Sequence, residues 1–346
     1  MKTLAGRHQQ FMQRCLTLAQ KGLGLTYPNP LVGCVIVHKG KIIGEGWHRK
    51  AGEAHAEVNA IENVRDKSLL SNSTLYVNLE PCNHHGRTPP CAHRIVAEGI
   101  PEVVVGCLDP FEKVNGHGIA TLKKSGVRVI TDILEQEAKH LNRRFFTFHR
   151  SQRPYLVLKW AESADGFLAP LPNNRSQRAP VYLTHRKDQL LVHQWRSEEQ
   201  AILVGAQTVI DDNPRLTTRW VAGNNPIRIV IDPNHRLSVK EKVFDTQATS
   251  LHLTHECLKT TPADDYKRIL TRVLKLLYEQ GIQSVIVEGG KKTLEAFIKF
   301  ELWDEARIFT APISLHQGIA APHIKGSPLP SDRPDLQRLE PLQKQP

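Results

Sequence analysis

Hydrophobic and polar positions in the first 148 residues predict an alternation of helices and strands. Residues 7–22 carry apolar side chains at helical spacing, and the apolar run 31–37 is followed by a Lys-Gly turn and the strand 41–47, which predicts a hairpin. Later apolar runs predict helices over 55–64, 90–99, 120–125 and 134–148 and strands over 73–82, 102–110 and 127–131. This order is typical of an α/β sandwich around a mixed sheet.

A basic, apolar-poor segment at residues 149–153 separates this unit from a second one. The apolar runs beyond it predict strands over 154–161, 201–205, 227–232, 284–290 and 305–312 and helices over 186–196, 266–280 and 292–299. Their alternation predicts a sheet rich in parallel strands, which binds nucleotide-sized ligands at the carboxyl ends of its strands. Residues 233–265 give little signal, and the polar end of the chain indicates no final strand. We therefore expect one domain at 1–148, a second at 154–330 and a poorly ordered polar tail at 331–346.

Composition narrows the class of protein further. The chain is 40% hydrophobic and 23% charged, as is typical of soluble globular proteins. No apolar run approaches the length of a membrane span, and residues 1–13 lack the apolar core of a secretory signal, so we expect a cytoplasmic protein with no membrane partner. The net charge of +11 is spread along the chain, which favours small anionic ligands over nucleic acid. Four isolated cysteines are expected to be small buried hydrophobes: Cys15, Cys34, Cys107 and Cys257.

The sharpest chemical signal is a set of His and Cys residues at the start of two predicted helices. His55-Ala56-Glu57 opens one helix, and Cys82 and Cys91 flank the start of the next. Zinc deaminases bind their metal through one His and two Cys, and a Glu two residues after the His transfers protons. Three protein ligands leave the fourth position for a water molecule, whose pKa the metal lowers. The pattern predicts His55, Cys82 and Cys91 as zinc ligands and Glu57 as general acid/base.

Two alternatives follow from the same residues. His84, His85 or His93 could complete a closed structural zinc site, or the residues could bind no metal. The spacing is also unusual, since eight residues separate the two cysteines where the general deaminase signature has two.

The motif EPCNHHGRTPPC at 80–91 resembles the signature of the bifunctional deaminase/reductase family of riboflavin biosynthesis. TYPNPLVGCVIV, GEGWH and GEAHAE, between residues 26 and 57, are similar to N-terminal motifs of the same family. The resemblance implies the zinc ligands and the proton-transferring Glu named above. It also implies substrate contacts by Asn29, His48, His84 and Arg87, for each of which a structural role in its loop is the alternative.

The second unit lacks the G-x-G-x-x-G dinucleotide fingerprint but carries two weaker signals. In ILVGAQTVIDDNPRLTTR, at 202–219, a strand ends at Gly205 and a turn follows. In VIVEGGKKTLEAF, at 285–297, a strand ends at Glu288-Gly289-Gly290 and opens a helix. Glycines let the backbone approach a ligand, and the free N–H groups of a helix start bind phosphate, although a simple tight turn is the alternative.

Residues 193–219 and the turn in KWAESADGFLA, at 159–169, resemble the reductase domain of the same family, so that the resemblance spans residues 8 to about 325. It implies a cytidine-deaminase-like α/β/α sandwich with a mixed sheet, a dihydrofolate-reductase-like α/β domain, and NADPH as cofactor beside Zn2+. The implied cofactor contacts are Ala161, Tyr182, Thr208, Asp212, Gly290, Lys291, Lys292, Thr293, Leu294 and Glu295. The implied substrate contacts are Arg196, Leu216, Arg219 and Glu288, the two arginines being suited to clamp a phosphate.

The resemblance implies deamination of a phosphorylated diaminopyrimidine and then NADPH reduction of its ribosyl group, with self-association through the reductase domain as a further expectation. Phe167, Tyr182 and the polar C-terminus depart from the family pattern and bear on the second activity. A base deaminase acting on nucleic acid and a binding module with a structural zinc are the two rival hypotheses. The long loop between the cysteines and the second α/β domain favour the small substrate over nucleic acid, and Glu57 favours an enzyme over a binding module.

Overall fold

The computed structural model describes residues 4–83, 90–112, 114–174 and 177–342. The chain divides into two compact units, Met1–Ser151 (unit 1) and Gln152–Pro346 (unit 2). No helix within the described ranges is long and apolar enough to cross a membrane. The isolated cysteines Cys15, Cys34 and Cys107 are buried, as predicted. The prediction of burial is wrong for Cys257, which is exposed because the helix that holds it is short and lies at the edge of its unit.

Unit 1 is an α/β/α sandwich around one five-stranded mixed sheet, as the sequence predicts. Its strands are β1 (Gly33–His38), β2 (Lys41–Trp47), β3 (Thr74–Leu79), β4 (Glu102–Cys107) and β5 (Arg128–Ile130). Its helices are α1 (Leu4–Gln20), α2 (Ala56–Glu62), α3 (Cys91–Ala97), α4 (His117–Lys124), α5 (Glu135–Leu141) and α6 (Arg143–Ser151). The strand order is β2-β1-β3-β4-β5, in which β1 pairs antiparallel with both neighbours and the remaining pairs are parallel. Separate hydrophobic clusters cover the two faces, one containing residues of α2, α3 and α4 and the other residues of α1.

The helix predicted over 134–148 is interrupted at Asn142, between α5 and α6. The side chain of Asn142 accepts a hydrogen bond from the Leu31 N–H at 2.8 Å and donates one to the Leu31 carbonyl at 2.9 Å. This buried amide satisfies the backbone of a distant loop, a long-range requirement that apolar periodicity does not register.

Unit 2 is built on an eight-stranded sheet with the order β10-β9-β8-β11-β6-β12-β15-β14 and a separate two-stranded ribbon β13-β7. Its strands are β6 (Tyr155–Ser163), β7 (Phe167–Ala169), β8 (Ala201–Gly205), β9 (Ile227–Ile231), β10 (Ser250–Leu253), β11 (Ser284–Val287), β12 (Glu305–Ala311), β13 (Ile319–Ala320), β14 (Ser327–Pro328) and β15 (Leu336–Glu340). Its helices are α7 (Arg186–Glu198), α8 (Ala206–Asp212), α9 (His255–Leu258), α10 (Tyr266–Glu279) and α11 (Lys291–Lys299). The six strands from β10 to β12 run parallel, which confirms the predicted parallel-rich sheet.

The expectation that the C-terminus lacks a final strand is wrong. Strand β15 pairs antiparallel with β12 and lies within the stretch expected to be a poorly ordered tail. Leu336 and Leu339 are buried but stand three residues apart, so the strand does not show the period of two on which its detection depends. The weak stretch 233–265 likewise contains β10 at the edge of the sheet and the single-turn helix α9.

Candidate active sites

The close approach of helix α2 to strand β2 sets the position of the first site. A Cβ atom at Gly46 would lie 2.4 Å from the backbone nitrogen of Ala60 and 2.6 Å from the carbonyl oxygen of Ala56. Only glycine therefore allows α2 to lie this near the sheet. The GEGW segment thus has a packing role, because its glycine at position 46 lets the start of α2 lie against the sheet.

His55, Cys82 and Cys91 meet at the start of α2 and α3, as the sequence predicts. Nδ1 of His55 lies 3.5 Å from Sγ of Cys82 and 3.3 Å from Sγ of Cys91, and all three donor atoms lie within 4.8 Å of one another. Cys91 together with His55 lowers the pKa of the Cys82 thiol to about 4, against the effect of burial. A thiolate is the form of cysteine that binds a metal.

The donor spacing fits zinc. With zinc–nitrogen bonds of about 2.1 Å and zinc–sulfur bonds of about 2.3 Å, a tetrahedral site separates nitrogen from sulfur by about 3.6 Å. In the part of the chain that the structure describes, His55, Cys82 and Cys91 form the group of His, Cys and acidic side chains that is close enough to hold a metal. His93, one of the possible fourth ligands, is exposed and does not belong to this group. His84 and His85, the other possible fourth ligands, lie outside the described residues.

Glu57 stands in the first turn of α2 and is almost completely buried. Burial, together with the charge of Cys82, raises the pKa of its carboxyl group. The pKa of this group also responds to His55 and Cys91, so the carboxyl group lies beside the cluster of donor atoms. A carboxyl group with a raised pKa is suited to pick up and release a proton near neutral pH.

Asn29 and His48, predicted to contact substrate, lie together beside His55. Nδ1 of His48 lies 3.1 Å from the carbonyl oxygen of Ala54, so this nitrogen carries the proton and donates. Its Nε2 then accepts from the Asn29 amide at 3.0 Å. The rings of His48 and His55 pack edge to face at 5.4 Å, and burial lowers the pKa of His48, which keeps the ring neutral. Arg87, like His84, lies outside the described residues.

Two buried amides hold the segment that carries Asn29. Asn78 of β3 accepts from the Gly33 N–H at 2.7 Å and donates to the Leu31 carbonyl at 3.0 Å. Asn142, which lies between α5 and α6, binds both the N–H and the carbonyl group of Leu31. The loop therefore has a fixed position relative to the donor cluster, which suits a substrate contact.

Glu80 is a residue of this site whose role the sequence did not indicate. Its buried carboxylate accepts backbone N–H groups at 2.9–3.3 Å, at Asp109, Gly116, Gly118 and Ile119. These groups belong to the loop after β4 and to the start of α4, so Glu80 ties this loop to the segment that leads into Cys82. Asp109 is also buried there, and burial raises its pKa to about 7.

The second site is a cavity of about 280 Å³ in unit 2, at the carboxyl ends of the parallel strands. It is lined by eleven of the predicted residues: Ala161, Tyr182, Arg196, Thr208, Asp212, Leu216, Arg219, Glu288, Gly290, Lys291 and Leu294. Three other predicted cofactor contacts on α11 do not line it: Lys292 and Glu295 are exposed, and Thr293 is buried against Gly205.

The turn before α11 is a tight cradle of the kind the sequence suggested. A Cβ at Gly289 would lie 2.3 Å from Cα of Val204, and one at Gly290 would lie 2.9 Å from Oγ1 of Thr208. Gly290 also has a φ of 57°, in the region that favours glycine. The nine-residue helix α11 starts at the next residue, Lys291, which lines the cavity, so the start of this helix lies at the cavity wall.

An ion pair lies in the wall of this cavity. The guanidinium of Arg196 binds Glu288 through two hydrogen bonds of 3.0 and 2.6 Å, and both side chains are about 10% exposed. Although burial opposes ionisation, Arg196 and Lys159 lower the pKa of Glu288 to about 2. Lys159, which the sequence analysis did not select, also lines the cavity, and burial lowers its pKa.

His193 and Trp220 are two further cavity residues that the sequence analysis missed. His193 precedes Arg196 by three residues on α7, a spacing that places both on one helix face. Its Nδ1 accepts from the Arg219 backbone N–H at 3.0 Å, and burial lowers its pKa to about 4, so the ring is neutral. This spacing was the available signal for His193.

Comparisons with known proteins cover both units. The family described as the cytidine and deoxycytidylate deaminase zinc-binding region matches residues 5–107, and the RibD C-terminal domain family matches residues 154–341. The riboflavin biosynthesis protein RibD of Aquifex aeolicus is 39% identical over 90% of this chain and 89% of its own length. The Escherichia coli protein of the same name is 36% identical over 88% of this chain and 87% of its own.

Solved structures agree with these matches. A diaminohydroxyphosphoribosylaminopyrimidine deaminase/5-amino-6-(5-phosphoribosylamino)uracil reductase from Thermotoga maritima is 34% identical, with a TM-score of 0.86, over 98% of this chain and all of that one. Acinetobacter baumannii RibD is 32% identical, with a TM-score of 0.85, over the same shares of the two chains. These likenesses confirm the predicted fold class of both units. The chain belongs to the RibD family of riboflavin biosynthesis proteins.

Proposed function

We propose that this chain carries out two consecutive steps of riboflavin biosynthesis. Unit 1 hydrolyses the amino group of 2,5-diamino-6-ribosylamino-4(3H)-pyrimidinone 5′-phosphate, and unit 2 reduces the ribosyl group with NADPH, giving 5-amino-6-ribitylamino-uracil 5′-phosphate. The observation that carries the proposal is the convergence of His55, Cys82 and Cys91 beside the buried Glu57 in a chain that also contains the reductase cavity. The family membership supports both activities.

In unit 1, His55, Cys82 and Cys91 would hold zinc. Zinc bound there would supply a Lewis acid that brings the pKa of a water molecule toward neutrality. Glu57 takes a proton from the attacking water at its carboxylate and delivers it to the departing amino group, so that ammonia leaves. Its burial raises its pKa, so the carboxyl group holds the proton more readily between the two transfers.

Asn29 and His48 orient the pyrimidine in this site. His48 is fixed as a neutral ring between Ala54 and Asn29, and its Nε2 holds the amide of Asn29 in one orientation. The oxygen of that amide is the atom that we propose to contact the substrate ring. We propose that His84 and Arg87 contribute contacts to the ribose phosphate from the loop between the cysteines.

In unit 2, the cradle at Gly289 and Gly290 and the start of α11 would hold the diphosphate of NADPH, and Thr208 and Asp212 line the same cavity. Bound NADPH would supply the hydride that C1′ of the ribosyl group accepts. The bond from C1′ to the ring oxygen breaks, and that oxygen takes a proton. Lys159 is placed to supply it, because it lines the cavity and its pKa is lowered by burial.

We propose different roles for the two arginines that were expected to clamp the substrate phosphate. Arg196 forms its bidentate bond with Glu288, so its guanidinium is already engaged, whereas Arg219 contacts only the Thr217 carbonyl and hydroxyl among the side-chain bonds described. We propose that Arg219 is the main phosphate contact and that Arg196 orients Glu288 toward the ribose hydroxyls.

The test is a pair of assays on zinc-loaded protein. Ammonia release from the diaminopyrimidine ribotide measures the first step, and loss of the reduced-nicotinamide absorbance with the deaminated ribotide measures the second. We expect both activities, with the first lost on zinc removal and the second retained. Ammonia release that persists after complete zinc removal would contradict the proposed role of unit 1. Self-association through unit 2 stays a prediction, which light scattering checks.

A further inference from the structure

Trp220 is an exposed aromatic residue on the wall of the reductase cavity. It lies in the irregular segment 213–226 between α8 and β9 and keeps 36% of its surface exposed. It does not belong to the two hydrophobic clusters of unit 2, so a role in packing the core does not explain its place on the cavity wall. A large aromatic side chain on an ordered loop at a cavity indicates a ligand contact.

The loop around Trp220 is braced at both ends. The Thr218 N–H donates to Oδ1 of Asn225 at 2.9 Å, and the Thr218 hydroxyl donates to the Asn224 carbonyl at 3.1 Å. On the other side, the Arg219 N–H donates to Nδ1 of His193 at 3.0 Å. These bonds fix the backbone on either side of the indole, so a ligand would meet a preorganised surface.

The ring of Trp220 has one neighbour that supports it and two cations nearby. Its centroid lies 4.6 Å from that of the His193 imidazole, at an interplanar angle of 40°. The guanidinium carbons of Arg186 and Arg219 lie 5.8 and 6.0 Å from the ring. An aromatic face flanked by guanidinium groups matches a molecule that joins a flat heterocycle to a phosphate.

We propose that Trp220 is a positioning residue of the reductase, whose indole face stacks on the pyrimidine ring of the deaminated substrate. The inference rests on the proposed function of unit 2 and adds a ring subsite to the ribose and phosphate contacts. Stacking holds the ring at the cavity mouth while the ribosyl group reaches the hydride donor. It also lets the enzyme distinguish the ribotide from a bare sugar phosphate, since the latter has no ring to stack.

The experiment compares Trp220→Ala, Trp220→Leu and Trp220→Phe in the full chain. With deaminated ribotide and NADPH, we expect KM to rise about tenfold or more in the Ala and Leu variants, which remove the flat aromatic face, and to stay within about threefold in the Phe variant. We expect kcat to change little, because stacking persists in the ground and transition states. Leu190→Ala is the matched control, since Leu190 is similarly exposed on α7 and does not line the cavity.

Ribose 5-phosphate, used as a competitive inhibitor, separates stacking from a general disturbance of the loop. It keeps the sugar and phosphate but lacks the ring, so its inhibition constant should be the same in wild type and in all three variants. A KM unchanged in the Ala and Leu variants, or an inhibition constant that rises with KM, would overturn the inference while leaving the proposed function intact. Absence of NADPH oxidation in the wild type would instead overturn the proposed function, and the inference with it.

Discussion

Replacing Glu288 by Gln tests the ion pair in the reductase cavity. The substitution keeps the size of the side chain but leaves the guanidinium of Arg196 and the ammonium of Lys159 without their shared carboxylate. The pKa of Glu288 falls from an ordinary value near 4.5 to about 2 in the folded chain. Each pKa unit corresponds to about 1.4 kcal/mol, so ionised Glu288 contributes about 3 kcal/mol to the free energy of unfolding.

The sign of the pH dependence follows from this direction. Because the folded-state pKa is depressed, the contribution is fully present above the unfolded-state pKa and is lost as pH falls through the folded-state value near 2. The difference between wild type and Glu288→Gln should therefore be about 3 kcal/mol at pH 7 and roughly half of that near pH 3. Both side chains are only about 10% exposed, so solvent screens the pair weakly.

The assay is urea unfolding of unit 2 followed by tryptophan fluorescence, since four of the five tryptophans lie there. Glu279→Gln is the control, because Glu279 pairs with Lys275 at 3.9 Å on an exposed helix face and should contribute less than about 1 kcal/mol. Equal destabilisation by the two variants at pH 7 would refute the reasoning. So would a difference between wild type and Glu288→Gln that does not shrink as pH falls.

Three further predictions concern other parts of the chain. Glu57→Gln should lower deamination about 100-fold or more and leave the zinc content unchanged in metal analysis, because Glu57 lies beside the ligands and is not one of them. Glu80→Gln should weaken the four backbone bonds to the loop after β4 and lower the stability of unit 1 by about 1–3 kcal/mol in urea unfolding, with NADPH oxidation retained. Ending the chain at residue 330 should lower the melting temperature of unit 2 or abolish its folding, since it removes β15 from the sheet.

Each has an outcome that would contradict it. Loss of zinc in Glu57→Gln would make this residue a ligand. Unchanged unfolding of unit 1 in Glu80→Gln would mean that the four backbone bonds to this side chain add nothing to the stability of unit 1. An unchanged melting transition after truncation at 330 would mean that β15 adds nothing to the sheet.

The zinc site could be predicted because its chemistry is local. His55 and Glu57 belong to one helix start, and Cys82 and Cys91 belong to the next, so ordinary strand and helix patterns suffice to bring them together. Glu80 could not be assigned a role, because its partners are backbone N–H groups 29–39 residues away and any residue type can supply them. Asn142 was missed for the same reason.

The reductase cavity was predicted through motifs, but Lys159 and His193 stand within the quoted segments and were not selected. Lys159 stands in an apolar strand whose sequence gives no indication that its ammonium group faces a cavity. Strand β15 has only two buried apolar positions, and its antiparallel pairing with β12 and β14 adds stability that the apolar pattern does not show. The place of Trp220 on the cavity wall could be recognised only from the geometry of its loop, since neither periodicity nor a motif distinguishes a cavity residue from a surface residue.

The central claim is that both steps occur on this chain in a fixed order. The most direct measurement supplies zinc-loaded wild type with the diaminopyrimidine ribotide and NADPH and records ammonia release and nicotinamide absorbance together. We expect ammonia to appear first and one NADPH then to be oxidised for each ammonia. Glu57→Gln should show neither with the diaminopyrimidine ribotide, and should oxidise NADPH without releasing ammonia once the deaminated ribotide is added. NADPH oxidation without ammonia release, or its persistence in Glu57→Gln given only the diaminopyrimidine ribotide, would contradict the account.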